Sequence, residues 1–273
     1  MILRFLERLQ RIVCTGSAFL FFFCGGTLLS YLLLPLARLR GGTEEEKALR
    51  CRRLLGRSWI VFHDYMRVLR LIDFDARKTR LELPPGPCVL VANHPTLIDV
   101  TAILSSHHQL VSVAKSAMFR SPLVGRLLRF CGHVEGGDGS IFSGAAVVDG
   151  AVAKLAAGVS VLIFPEGTRS PERGLGEFRV GAAQIAARAG VPLVPLLVTC
   201  EPPTLMRGQA WWEVPERTAV LSVRSRPALR LPPDANPRRE TRRLRDLYFR
   251  WLEEARGEGA PAESPDELRE VGT

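Results

Sequence analysis

A histidine and an aspartate stand five positions apart in Asn93-His94-Pro95-Thr96-Leu97-Ile98-Asp99, directly after the apolar run Cys88 to Ala92. On one continuous helix that spacing would point the two side chains apart, so a helix must begin after His94. Pro95 and Thr96 supply the break, with Thr96 the expected cap and Asp99 in the first turn. Asp99 can then accept from one imidazole nitrogen while the other faces a hydroxyl, and general-base help of this kind is typically worth about 10²–10⁴ in rate. Further on, Phe164-Pro165-Glu166-Gly167-Thr168-Arg169-Ser170 leaves a second apolar run, Ser160 to Phe164, through a proline and a glycine. Its polar groups should project at the C-terminal edge of a sheet, where α/β folds bind ligands, and Arg169 offers a planar fork to phosphate. Glu166 fits an organiser of this loop, or of an acceptor hydroxyl, better than a second base, because His94 already has a partner. Taken singly, His94 is more often a satisfied buried histidine and the second segment a strand-end turn with a surface ion pair; both blocks in one chain favour chemistry.

Intact and in this order, the two blocks resemble the signature of the glycerolipid acyltransferase family, in particular its 1-acylglycerol-3-phosphate acyltransferases: His-x-x-x-x-Asp, then Phe-Pro-Glu-Gly-Thr-Arg-Ser. The resemblance extends to Ala114-Lys115 with Pro122 and Gly125, to Phe178-Arg179-Val180-Gly181-Ala182, and to Val191-Pro192-Leu193-Val194-Pro195, so that it covers Pro87 to Val198. It implies transfer of a fatty acyl group from an acyl-coenzyme A or acyl carrier protein thioester to the free hydroxyl of a lysoglycerophospholipid. The acceptor it suggests first is 1-acylglycerol-3-phosphate, giving phosphatidic acid. His94 and Asp99 would be the base dyad, and Glu166, Gly167, Thr168, Arg169 and Lys115 would bind substrate, with no metal and no cofactor beyond the thioester co-substrate. Lys115 and Arg179 could equally be solvated surface charges. The chain departs from the family at Asp138, which stands where an Arg thought to hold the acceptor's phosphate is usual. A carboxylate repels phosphate, which keeps a different lipid-like alcohol open as acceptor unless Arg169, Lys115 or a neighbouring Arg supplies the charge. A non-catalytic lipid-binding module and a thioesterase with water as acceptor are the rival functions.

The elements that must position these residues follow the alternation of an α/β fold, with a single mixed sheet flanked by helices. Strands are expected at Cys88 to Ala92, Leu110 to Ala114, Ser160 to Phe164, Leu193 to Thr199 and Ala219 to Val223. Helices are expected near Leu97 to Ser105, Leu123 to Phe130, Gly144 to Ala157, Gly181 to Arg188 and Arg238 to Ala255. Phe119, Leu123, Leu127, Leu128 and Phe130 could line an acyl-chain tunnel, although core packing is commoner at helical spacing. The chain divides into a membrane-associated helical region (1–75), a catalytic domain (76–256) and a disordered tail (257–273) rich in Glu, Pro and Gly.

From Ile12 to Ala37 no residue is charged, long enough to span a bilayer, and no small-residue cleavage site follows. Arginines at both ends leave its orientation undetermined, and Gly25-Gly26 allows a bent, shallowly inserted helix. Thr43-Glu44-Glu45-Glu46 is a capping signature that opens a basic amphipathic helix to about Leu71, either lying on a membrane surface or packed on the domain. The net charge of +9 and pI near 9.8 favour anionic partners: membrane phospholipid, a phosphorylated substrate or coenzyme A. No nucleic-acid fold signature appears, so nucleic acid is not an expected partner. The six cysteines show no Cys-x-x-Cys pair or metal-ligand spacing, which predicts reduced thiols in a cytoplasmic compartment. The donors expected of the family are made there, so the catalytic domain should face the cytoplasm from an inner, cytoplasmic membrane.

Overall fold

In the computed structural model, which describes residues 2–137, 141–172, 174–232 and 234–257, a seven-stranded mixed sheet forms the centre. Its strands are β1 (Ile72–Asp73), β2 (Val89–Ala92), β3 (Leu110–Lys115), β4 (Val134–Gly136), β5 (Ser160–Ile163), β6 (Leu193–Glu201) and β7 (Ala219–Ser225). They lie side by side in the order β1-β7-β6-β2-β5-β3-β4, all neighbours parallel except the antiparallel β6–β7 pair. All four residues of β2 are buried, which explains why this strand is a continuous apolar run rather than an alternating one.

The pleat of β2 divides the core. Leu90 and Ala92 pack with Ala18, Phe62, Met66, Ala102 and Ile103, which come from α1 (Ile2–Leu28), α3 (Glu44–Val68) and α4 (Asp99–Ser106). Val89 and Val91 pack on the opposite face with Leu155, Ile185, Leu244 and Tyr248, from α7 (Ile141–Ala156), α8 (Gly181–Ala189) and α9 (Pro237–Arg256). The expected strands and helices are all present, with ends shifted by up to three residues. Two short strands, β1 and β4, and the one-turn helix α5 (Ser116–Arg120) were not expected, being too short to show a period; the expected helix Leu123 to Phe130 is α6 (Val124–Cys131). β1 lies before the boundary drawn at residue 76 and pairs with β7, and α1 and α3 share the sheet's core, so the N-terminal helices and the sheet are built on one another.

The apolar N-terminal run is helical throughout: α1, a π-helical turn (Leu29–Leu33) and α2 (Leu34–Leu39) follow without a break. Arg4–Leu39 is long and apolar enough to cross a membrane, with a mean hydropathy of 1.9 and only 22% of its most apolar window buried. The wide turn sits where the helix docks: buried Ser30 donates to Leu123 O, Ser30 O accepts from Arg126, and Gly26 lies against the Leu123 side chain. α3 starts with the anticipated capping box, Glu46 N–H to Thr43 Oγ1 at 3.3 Å and Thr43 N–H to Glu46 Oε2 at 2.8 Å. Of its two expected settings, α3 adopts the packed one, and even Arg52 is buried, donating to His108 O, Cys131 O and Glu45. The residues expected to form a disordered tail fall outside the described ones, apart from Gly257, which closes α9 in the left-handed conformation.

Candidate active site

β2 ends at Ala92, and the sheet parts there from β6. Asn93 fills the gap with its side-chain amide, donating to Val198 O and accepting from Val198 N–H, both at 2.8 Å. One step earlier the Tyr248 hydroxyl reaches between the same strands, 2.7 Å from Val91 O and 3.1 Å from Leu196 N. These two side chains take over where the backbone ladder ends, and they fix the point from which His94 leaves the sheet.

His94 Nδ1 lies 2.9 Å from Asp99 Oδ2. Asp99 is wholly buried and accepts two further bonds, from Thr96 N–H at 2.8 Å and from the Thr96 hydroxyl at 2.5 Å. Three donors on one carboxylate fix its orientation and, through it, the imidazole. The helix starts after the histidine, as the spacing requires, but Thr96 is not its cap: α4 begins at Asp99, and the Thr96 hydroxyl bonds Asp99 and accepts from Ile98 N–H. The His94 ring packs on Phe164 with centroids 4.4 Å apart, and Nε2 has no protein partner among the described residues.

The second motif is joined to the first through Glu166. This buried carboxylate accepts from His94 N–H (3.2 Å), the Ser170 hydroxyl (2.6 Å) and Gly176 N–H (2.6 Å), while Ser170 N–H donates to His94 O (2.7 Å). Its oxygens are therefore occupied by the scaffold. Gly167 turns the chain with φ +65, and a Cβ there would come within 3.3 Å of Arg179 Nε, so the glycine makes room for the Arg179 side chain to cross the turn. Arg169 was expected to present a fork to an anion; its Nη1 donates to Leu205 O (2.9 Å) and Met206 O (2.8 Å) in the β6–β7 connection, while the side chain borders the cleft.

A cleft of about 1300 Å³ opens over the dyad. Lys115, Glu166, Gly167, Thr168, Arg169 and Arg179 all border it with His94, while Asp99 lies buried behind the imidazole and reaches the cavity only through it. Arg120, absent from the sequence-based selection, borders it as well, from the short helix α5 that has no periodic signal. Lys115, Arg120 and Arg179 are exposed and have no ion-pair partner among the described residues. Leu127 and Leu128 line the inner wall with Phe22 and Trp59, whereas Phe119, Leu123 and Phe130 do not border the cleft; Leu123 packs at Gly26 and Phe130 stacks against Arg38 and Arg126. Asp138, the departure from the family pattern, lies outside the described residues.

Two buried histidines stand near the cleft. His63 on α3 bonds Thr101 Oγ1 on α4 at 3.0 Å, and burial pushes its pKa down to about 4. His133 accepts from Ser112 N–H at 2.8 Å through Nδ1, and burial, helped by Arg52, lowers it likewise to about 4. All six cysteines are free, and burial pushes the Cys200 thiol up to about 12. Among the described residues no group of three or more His, Cys, Asp or Glu side chains could hold a metal ion.

Residues 76–199 match the family model described as Acyltransferase. A 1-acyl-sn-glycerol-3-phosphate acyltransferase of Brassica napus, a chloroplastic protein, is 36% identical over 110 residues, 40% of this chain and 32% of that one. The 1-acyl-sn-glycerol-3-phosphate acyltransferase of Salmonella typhimurium is 34% identical over 118 residues, 42% of this chain and 47% of the other. The chain thus spans about a third to a half of the length of these curated relatives. The crystal structure of the 1-acyl-sn-glycerophosphate acyltransferase PlsC from Thermotoga maritima superposes with a TM-score of 0.65 over 96% of this chain and 100% of that one, at 17% identity. The fold is that of PlsC, and the stretch that matches the Acyltransferase family model, residues 76–199, holds the His94–Asp99 pair and the Glu166 turn.

Proposed function

We propose that the chain is a membrane-associated O-acyltransferase that moves a fatty acyl group from a coenzyme A or acyl carrier protein thioester to the free hydroxyl of 1-acylglycerol-3-phosphate, giving phosphatidic acid. The observation that carries this is the His94 Nδ1 to Asp99 Oδ2 contact at 2.9 Å, on a ring that borders the cleft. With Nδ1 donating to Asp99, Nε2 is the basic nitrogen and takes the proton of the acceptor hydroxyl as its oxygen attacks the thioester carbonyl. The C–S bond then breaks, and Nε2 returns the proton to the departing thiolate. No acyl-enzyme is needed, because the acceptor is itself the nucleophile, and the reaction calls on no metal or other cofactor.

The tetrahedral oxyanion needs hydrogen-bond donors. The N–H groups of Thr96, Leu97 and Ile98 are already given to Asp99, Leu205 O and Thr96 Oγ1, and Gly167 N–H closes its own turn on Phe164 O. Thr168, which borders the cleft and makes no hydrogen bond among the described residues, is a donor still available in this turn. For the acceptor phosphate, Lys115, Arg120 and Arg179 are the uncommitted cations of the cleft, and they offset the charge that Asp138 fails to supply. The exposed apolar side of α1 and α2 seats the chain on the membrane where the acceptor resides, with the catalytic domain on the cytoplasmic side of an inner membrane.

Product analysis by mass spectrometry tests this reading: detergent-purified protein is mixed with lysophosphatidic acid and acyl donors of both kinds, beside a His94→Ala control. Phosphatidic acid formed only by the intact protein is the expected result. His94-dependent acylation of other lipids in a mixed extract, with none of lysophosphatidic acid, would assign a different lipid-like alcohol. Free fatty acid released in the presence of excess lysolipid would indicate a thioesterase.

A further inference from the structure

Residues 202–218, between β6 and β7, contribute to the site without belonging to either motif. Leu205 O accepts from Leu97 N–H at 3.2 Å and from Arg169 Nη1 at 2.9 Å, so the segment holds both motif loops. It is braced internally: Gln209 accepts from Met206 N–H and donates to Glu213 O, and Glu213 accepts from Ala210 N–H. Its tip carries two adjacent tryptophans that are 43% and 52% exposed, Trp211 and Trp212, with rings edge to face. Trp211 leans on α1, its ring 3.5 Å from where a Cβ would stand on Gly16 and edge-on to Phe19. Arg11 of α1 donates to Glu216 O at the far end of the same segment.

Two large aromatic rings kept in water by a well-ordered segment call for a partner. Their place names it. They continue the exposed apolar side of α1, formed by Val13, Leu20 and Phe23, and the exposed Arg207 of the same segment has no ion-pair partner among the described residues. An indole joins an apolar body to one N–H donor, the combination that favours the boundary between lipid headgroups and acyl chains, and arginine there meets lipid phosphate.

We propose that the β6–β7 connection is a second membrane-contact element, with Trp211 and Trp212 seated in the headgroup layer of a phospholipid bilayer beside α1. The inference rests on the membrane seat of α1 given above. Thr204 and Leu205 of the segment border the cleft with Phe19 of α1, so the two elements hold the cleft's rim against the lipid surface. Through Leu205 O the same contact steadies Leu97 and Arg169.

The test is tryptophan quenching in proteoliposomes of phosphatidylethanolamine and phosphatidylglycerol, with bromine placed on shallow or on deep acyl carbons. Of the four tryptophans, Trp59 is partly buried and Trp251 buried. Shallow bromines should quench wild type strongly, deep ones weakly, and Trp211→Phe/Trp212→Phe should lose most of the shallow quenching. The single substitution Trp212→Lys, at the more exposed ring, guards against misfolding and should lose part of it, with an unchanged melting temperature in detergent. Equal quenching of wild type and variants would overturn the proposal. So would emission that shifts with protein concentration in lipid-free detergent, which would assign the patch to a second copy of the chain. Quenching is read without turnover: docking without acyl transfer would sink the proposed activity alone, and acyl transfer without docking would sink this inference alone.

Discussion

Replacing Glu166 by glutamine separates an organising carboxylate from a chemical one. In the native site Oε2 accepts from Gly176 N–H at 2.6 Å, and Oε1 accepts from the Ser170 hydroxyl at 2.6 Å and from His94 N–H at 3.2 Å. Glutamine keeps one oxygen and turns the other into an NH2 donor. With its oxygen on Gly176 N–H, the NH2 meets Ser170 Oγ, which can rotate to accept, and His94 N–H, which cannot. His94 N–H then depends on Ser170 Oγ alone, at 3.2 Å. The flipped amide is worse, placing donor against donor at Gly176. Losing one charge-assisted acceptor in a buried network costs roughly 2 kcal/mol, and if all of it appears as misplacement of His94, kcat/KM falls about 30-fold. The assay is release of free thiol from the acyl donor in the presence of lysophosphatidic acid, beside thermal melts in detergent. Glu166→Gln should therefore be clearly more active than His94→Ala. If it is as inactive as His94→Ala while melting like wild type, the carboxylate takes part in the chemistry and the organising role is refuted.

Asp99→Asn should leave the fold intact, because Thr96 N–H holds the amide oxygen toward His94 Nδ1 and the Thr96 hydroxyl can turn to accept from the NH2, but it removes the charge that stabilises the imidazolium, lowering kcat by about 10²–10³ with little change in KM, as steady-state kinetics would show. Arg179→Gln should raise the KM for lysophosphatidic acid about tenfold while leaving acylation of an uncharged monoacylglycerol unchanged, and Arg179→Lys should restore part of the loss; equal effects on both acceptors would remove Arg179 from phosphate binding. Acid should destabilise the fold through His63 and His133: their folded pKa values near 4 lie below the unfolded value of about 6.5, so the unfolded chain binds more protons between the two. Stability is then full above about pH 6.5, declines as the pH falls toward 4, and is lost by roughly 3 kcal/mol per histidine below that, which urea melts of wild type and His133→Gln across this range would check.

The parts of the fold that announce themselves in the sequence are those whose local chemistry and tertiary setting agree. Val89 to Ala92 is an unbroken apolar run because helices cover both faces of β2, and Thr43 with Glu46 marks a helix start that the capping box then forms. The dyad was legible because the proline between His94 and Asp99 forces the helix to begin late. Other features depend on distant contacts. β1 and β4 exist only through pairing with β7 and β3 and carry no period of their own. Thr96 looks like a cap, yet its hydroxyl goes to the Asp99 carboxylate. Arg169 is anchored through Nη1 by the carbonyls of Leu205 and Met206, thirty-six and thirty-seven positions on. Nothing near Arg169 in sequence reveals that partner, and nothing in the composition of residues 202–218 marks them as part of the site.

Taken together, the committed hydrogen bonds define what is left for substrate. The two motifs use nearly all of their polar groups on each other: Asp99 on His94 and Thr96, Glu166 on His94 N–H, Ser170 and Gly176, and Arg169 on the β6–β7 connection. A rim built this way does not have to reorganise when a substrate arrives, which is how fixed dipoles lower a barrier. Uncommitted among the described residues at the cleft are one imidazole nitrogen, Thr168 and the cations Lys115, Arg120 and Arg179, which the proposed function would use for proton transfer, the developing oxyanion and the acceptor's anion. Conserving the cations' charge while moving their positions would change which acceptor is held, whereas altering Glu166 or Asp99 would change whether any is transformed. On the proposed function, the division between a locked frame and a small free set would give acceptor choice to Lys115, Arg120 and Arg179, and the chemistry to the two motif loops.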